Sequence, residues 1–200
     1  MLYLYDNAIA ADLQSAIDPH GGMNDHVKVM EPDGVIGLMA QLEEDKISFP
    51  LLCLIRSSDI TIDANRSNFT RLHRGHAEII DPKTNNLYLE TANPIELKYA
   101  IHILATNTVD VDELTREIMF RYSSMYFITM KKPYEAEASF RFGVSIPPGS
   151  TITRESGANN YVKDGKLYES IIPIVCEGAV YFNYTPKHMT RTITQLKVES

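Results

Sequence analysis

Residues 94–131 constrain the fold more than any other stretch, because they read as a strand, a helix and a second strand in succession. Apolar side chains alternate with mostly polar ones across residues 95–104, and this period of two predicts a half-buried β-strand. Asp110 and Glu113 then stand in the spacing of a capping box, which predicts that a helix begins at this point. Residues 126–130 predict the next strand. We therefore expect the rest of the chain to pack on this unit.

Two further helices are predicted in the N-terminal part of the chain. Residues 7–17 place Ile9 and Leu13 on one face, and Asp6 stands where it can cap the helix. Residues 33–45 carry a second set of apolar residues at helical spacing. Both helices are expected to cover one face of a sheet.

The remainder of the chain is rich in strand patterns joined by turn signals. The apolar run 49–55 suits a buried strand, and residues 138–146 alternate between apolar and polar. Residues 167–176 and 179–184 read as one strand interrupted by a bulge at Gly178. These patterns predict an α+β fold, with a mixed, mostly antiparallel sheet and helices packed on one face, in a single domain with extended arms. The expected parts of that domain are an N-terminal helical segment at 1–46, a β-rich core at 47–185 and a C-terminal arm at 186–200.

The composition describes an ordinary globular chain with an excess of acid. Its 200 residues, 44% of them apolar and 22% charged, are enough for one domain with a core. The 26 acidic and 19 basic residues give a formal net charge of −7, which disfavours a duplex-binding surface because phosphate contacts need clustered Lys and Arg. The first residues lack the basic region and apolar stretch of a signal peptide, and no apolar run reaches membrane-spanning length. We therefore expect a cytoplasmic protein without membrane contact.

Side chains that could carry chemistry do not stand at the spacings of a catalytic or metal site. His73 and His76 have no acidic or cysteine ligand at a fixed spacing, so an exposed polar loop is favoured over a metal pair. His102 lies on the polar face of its predicted strand and is interpreted as a cross-strand partner rather than a general base. Cys53 and Cys176 lie inside apolar runs, which favours buried free thiols over a disulfide or a two-cysteine metal site. The sequence therefore predicts no catalytic residue, no cofactor and no metal.

The best candidate for a binding site is the polar segment 56–76, which is too long for a tight turn and is predicted to be an excursion or a flexible arm. Its arginines are interleaved with aspartates, and mixed charges suit salt-bridged contact with a neighbouring subunit. A solvated loop and a nucleic-acid contact are the alternatives, although a nucleic-acid groove would carry aromatics and fewer acids. Arg116 and Arg121 are expected to lie free on the outer side of the helix at 110–123, and residues 190–198 alternate like an edge strand that could pair with another subunit. The predicted interface residues are Arg56, Asp59, Asp63, Arg66, Arg71, Arg74, Arg116 and Arg121.

Two stretches carry a resemblance to a known family. In the first, an apolar strand led by Phe49 and Pro50 runs into an arginine-bearing polar segment. In the second, a strand headed by Pro94 is followed by a short acidic turn and an amphipathic helix. This order of features resembles tail terminator and tail completion proteins of tailed bacteriophages. The resemblance covers residues 47–146, about half of the chain, and for the part from Pro147 onward a neck or baseplate relative is the alternative.

The resemblance implies a structural virion protein. Proteins of this family form rings, usually hexameric, that cap the assembled tail tube or sheath and join it to the head-side neck. It implies a homo-oligomer whose partners are tail tube, sheath or connector proteins, located in the virion after assembly in the host cytoplasm, with nucleic acid only as DNA passing through the ring lumen. The residues alone leave two other hypotheses open: a small enzyme on a βαβ core that uses His102, Asp110 or His73, and a nucleic-acid-binding module that uses the arginine-rich segment.

Overall fold

The computed structural model describes the chain in seven segments: residues 2–17, 26–30, 49–62, 76–80, 87–131, 139–162 and 165–181. Two helices lie within these segments, α1 (Tyr3–Ile17) and α2 (Thr108–Tyr122). Eight strands lie within them: β1 (Val27–Met30), β2 (Leu51–Ile62), β3 (His76–Ile80), β4 (Leu87–Ala105), β5 (Tyr126–Lys131), β6 (Ser139–Ser145), β7 (Thr153–Val162) and β8 (Gly165–Tyr181). The predicted helix at 33–45 and the predicted C-terminal arm at 186–200 lie outside the described residues.

The strands form one sheet that is mostly antiparallel and curls on itself. β4 pairs antiparallel with β2, and along residues 92–105 it also pairs antiparallel with β8. The pairs β4–β3, β3–β6, β6–β8 and β8–β4 lead back to the starting strand, and this circuit produces the curl. β5 extends the sheet from β6, β7 pairs with β8, and β1 runs parallel to the start of β2. The predicted α+β fold with a mixed, mostly antiparallel sheet is therefore confirmed.

The strand–helix–strand unit is confirmed in outline and corrected in its details. The strand predicted to follow Pro94 is continuous with the strand pattern predicted at residues 87–90, and together they form β4, whose residues before Pro94 pair with β3 and β8. The side-chain oxygen of Asn107 accepts a hydrogen bond from the Asp110 amide at 2.7 Å, so Asn107 caps α2 and the prediction of a cap at Asp110 is wrong. Among the described strands β5 pairs with β6, not with β4, so the unit is not a βαβ crossover.

α1 begins at Tyr3, about one turn before the predicted start at residue 7. The helix buries one stripe at intervals of four residues: Tyr5, Ile9 and Leu13. Asp6 therefore lies inside the first turns of the helix, where its carboxylate meets Arg56, and the prediction that Asp6 caps the helix is wrong.

α1 and α2 pack on the same face of the sheet and enclose the main core. Alternate residues of β4 face this core: Ile95, Leu97, Tyr99, Ile101 and Ile103. A smaller buried cluster is formed by strand residues that point to the opposite side of the sheet. It contains Leu51, Cys53, Leu104 and Leu167. Both cysteines are buried and free, as predicted, with Cys53 in this second cluster and Cys176 in the main core. The period of two read from the sequence thus separates the two sides of the sheet.

β8 runs without interruption past Gly178, so the predicted bulge at this residue is wrong. The register between β8 and β4 stays continuous from residue 168 to residue 181. Gly178 instead gives room to Tyr5, because a Cβ at this position would lie 2.6–2.7 Å from the ring and hydroxyl atoms of that tyrosine. The glycine therefore marks a close approach of α1 to the sheet.

Candidate subunit interface

Arg56, a predicted interface residue, lies inside the fold rather than in a polar arm. β2 extends to Ile62, so the start of the predicted segment 56–76 belongs to the sheet. One guanidinium nitrogen of Arg56 donates to both carboxylate oxygens of Asp6, at 2.9 and 2.7 Å. The Tyr99 hydroxyl donates to the same carboxylate at 2.8 Å. Asp6 is buried, and this cluster joins α1 to the sheet. The charge of Arg56 is therefore already paired within its own chain.

Arg121 is also held within the chain, so the prediction that it lies free on the outer side of α2 is wrong. Its Nε and Nη2 atoms donate to the two carboxylate oxygens of Asp12 at 2.7 and 2.6 Å. The Tyr122 hydroxyl donates to Asp12 at 2.7 Å, and the guanidinium carbon lies 4.8 Å from the centre of the Tyr126 ring. The hydrogen bond to Asp12 raises the pKa of Arg121 above its ordinary value. This cluster fastens α1 to α2 and β5.

The remaining predicted interface residues divide into two groups. Asp59 and Arg116 are exposed to solvent. Four others lie outside the described residues, as does His73: Asp63, Arg66, Arg71 and Arg74. The two predicted interface residues that are described and exposed therefore lie at the end of β2 and on α2.

Three large apolar side chains of α2 are exposed: Met119, at 42%, and two others that share one stripe of the helix. Phe120 is 75% exposed and Val109 is 66% exposed. Phe120 follows the buried Ile118 by two residues, which places it about 200° around the helix axis, opposite the core stripe. Arg116 lies on the same outer stripe and forms an exposed ion pair with Glu113 at 2.6 Å. We call Val109, Glu113, Arg116 and Phe120 the α2 outer face.

The end of β2 carries a second exposed apolar surface. Ile60 is 44% exposed and Ile62 is 68% exposed. They lie opposite Leu97 and Ile95 of β4, and directly opposed residues of an antiparallel pair share one face of the sheet. Asp59 is exposed beside them, within the register shift that separates Arg56 from Ile60. We call Asp59, Ile60 and Ile62 the β2 tip.

The apolar members of these two surfaces were not among the residues predicted from the sequence. Phe120 could have been found, because helical spacing places it away from the core stripe of α2. Ile60 and Ile62 alternate with polar residues inside a segment interpreted as an arm, and this alternation was the available signal of a strand. Whether Ile60 and Ile62 are exposed depends on which part of the sheet the helices cover. The alternation of apolar and polar residues along the strand does not specify this.

The face of the sheet away from the helices carries a polar contact between neighbouring strands. His102 Nδ1 lies 2.6 Å from Glu169 Oε1, so the predicted cross-strand role of His102 is confirmed. Cys53 lies opposite His102 on β2, and burial raises the pKa of its thiol to about 12. Because the thiolate is the reactive form of cysteine, this thiol is a poor nucleophile at neutral pH.

The described residues and two comparisons with known proteins set further limits on the function. No group of three or more His, Cys, Asp or Glu side chains is placed to hold a metal ion in the described part of the chain. None of the helices found in the described segments is long and apolar enough to cross a membrane. No family model matches the chain, and no curated protein matches it in sequence.

Proposed function

We propose that the protein is a structural subunit of a phage tail, which assembles into a ring and terminates or completes the tail tube or sheath at the head-side neck. The observation that carries the proposal is the exposure of large apolar side chains on two separate surfaces, the α2 outer face and the β2 tip. Contiguous exposed apolar surface is costly in water and marks sites of protein contact. The assignment to a phage tail rests on the resemblance carried by residues 47–146.

The arrangement of the charged groups supports an assembly role. Two described arginines of low solvent exposure are paired with carboxylates inside the chain, Arg56 with Asp6 and Arg121 with Asp12. Such paired groups fasten elements to one another and do not project into a cleft as an acid or a base would. In this proposal, the binding energy between subunits comes from the exposed surfaces.

In this proposal the ring is a homo-oligomer, with six subunits expected from the family resemblance. Its other partners are tail tube, sheath or connector proteins, and DNA passes through the lumen without specific contacts. The protein is assembled in the host cytoplasm and remains in the virion at the tail or neck.

The proposal is tested with the purified full chain, alone and mixed with isolated tail tubes. Light scattering is expected to give the mass of a multi-subunit particle, and negative-stain electron microscopy is expected to reveal rings at the end of the tubes. A protein that stays monomeric in both samples contradicts the proposal. Rings that form but do not bind tubes contradict the tail role and leave self-assembly intact.

A further inference from the structure

We draw no further inference here: the strongest candidate, the cluster of Cys53, His102 and Glu169 on the face of the sheet away from α1 and α2, carries no proposal, because these three described residues are not placed to hold a metal ion, the Cys53 thiol is buried, and nothing in the structure shows what covers this face.

Discussion

The hydroxyl of Tyr5 lies 2.7 Å from both the carbonyl oxygen and the amide nitrogen of Ala179, donating to the first and accepting from the second. These two residues are 174 positions apart in the chain, and the contact is fully buried. The tyrosine ring passes over Gly178, which has no side chain to obstruct it. One side chain thus fixes α1 to the end of β8.

Gly178→Ala is expected to destabilise the protein by about 1–3 kcal/mol, because the new methyl group would overlap the Tyr5 ring in a packed interior. The ring must then shift and lose its hydrogen bonds to Ala179, which adds to the loss. Equilibrium unfolding in urea measures the change in the free energy of unfolding.

Gly143→Ala is the matched control for this substitution. A Cβ at Gly143 would meet the side chain of Met125, which can move by rotating its own bonds, whereas the Tyr5 ring is held at its hydroxyl. Gly143→Ala should therefore cost less than Gly178→Ala. Equal losses for the two variants would argue against a rigid Tyr5 contact.

The second prediction concerns the cluster that joins α1 to α2. Arg121→Ala leaves the mostly buried Asp12 carboxylate without its guanidinium partner, and is expected to cost about 2–4 kcal/mol in the free energy of unfolding. A double-mutant cycle with Asp12→Ala should give a coupling energy of about 1–3 kcal/mol. Arg116→Ala is the control on the same helix, because its ion pair is exposed and its removal should cost less than about 0.5 kcal/mol.

The fold could be predicted from the sequence to the extent that it depends on local periodicity. The alternation that follows Pro94 identified the central strand, and the stripe of α2 identified its buried face. The partner of β5 could not be predicted, because pairing with β6 rather than β4 depends on contacts between distant segments. A glycine within a strand, such as Gly178, marks either a bulge or the close approach of another group. Only the position of Tyr5 in the structure shows that Gly178 marks a close approach.

The candidate interface was predicted less completely, for a related reason. An arginine such as Arg121 appears free in a helical projection, but its long side chain reaches Asp12, which is 109 positions away. Arg56 was assigned to an arm because polar residues follow it, whereas its guanidinium turns back to Asp6. The position of Phe120 opposite the core stripe of α2 was readable from helical spacing, whereas its exposure is known only from the structure.

The third prediction separates the observed helix cap from the predicted one. Asn107→Ala removes the side-chain acceptor of the Asp110 amide and is expected to lower stability by about 1 kcal/mol. Asn107→Ser keeps an acceptor at the cap and should restore most of this loss. Thermal unfolding followed by circular dichroism compares the two variants, and equal melting temperatures would contradict the capping role of Asn107.

The last prediction concerns stability at alkaline pH. Burial raises the pKa of the Cys53 thiol from 9.0 to about 12. The charge of Lys28 lowers this pKa and the charge of Glu169 raises it, both by smaller amounts. As the pH rises past 9, the unfolded chain loses this proton while the folded chain keeps it, so the folded state binds more protons and the free energy of unfolding falls. Below pH 9 the contribution is fully present. At pH 10 the loss due to this thiol is about 1.4 kcal/mol.

Urea unfolding at pH 7, 9 and 10 measures this slope. Burial also raises the pKa of Cys176 and of the buried tyrosines, which adds a decline of the same sign in the wild type. Cys53→Ala keeps all of those groups. The difference between wild type and variant in the slope of the free energy of unfolding against pH is therefore due to Cys53, whatever the substitution costs at pH 7. The variant should lose less stability between pH 7 and pH 10 than the wild type does. Parallel slopes would mean that the Cys53 thiol titrates alike in the folded and unfolded chains, contrary to its burial beneath the sheet.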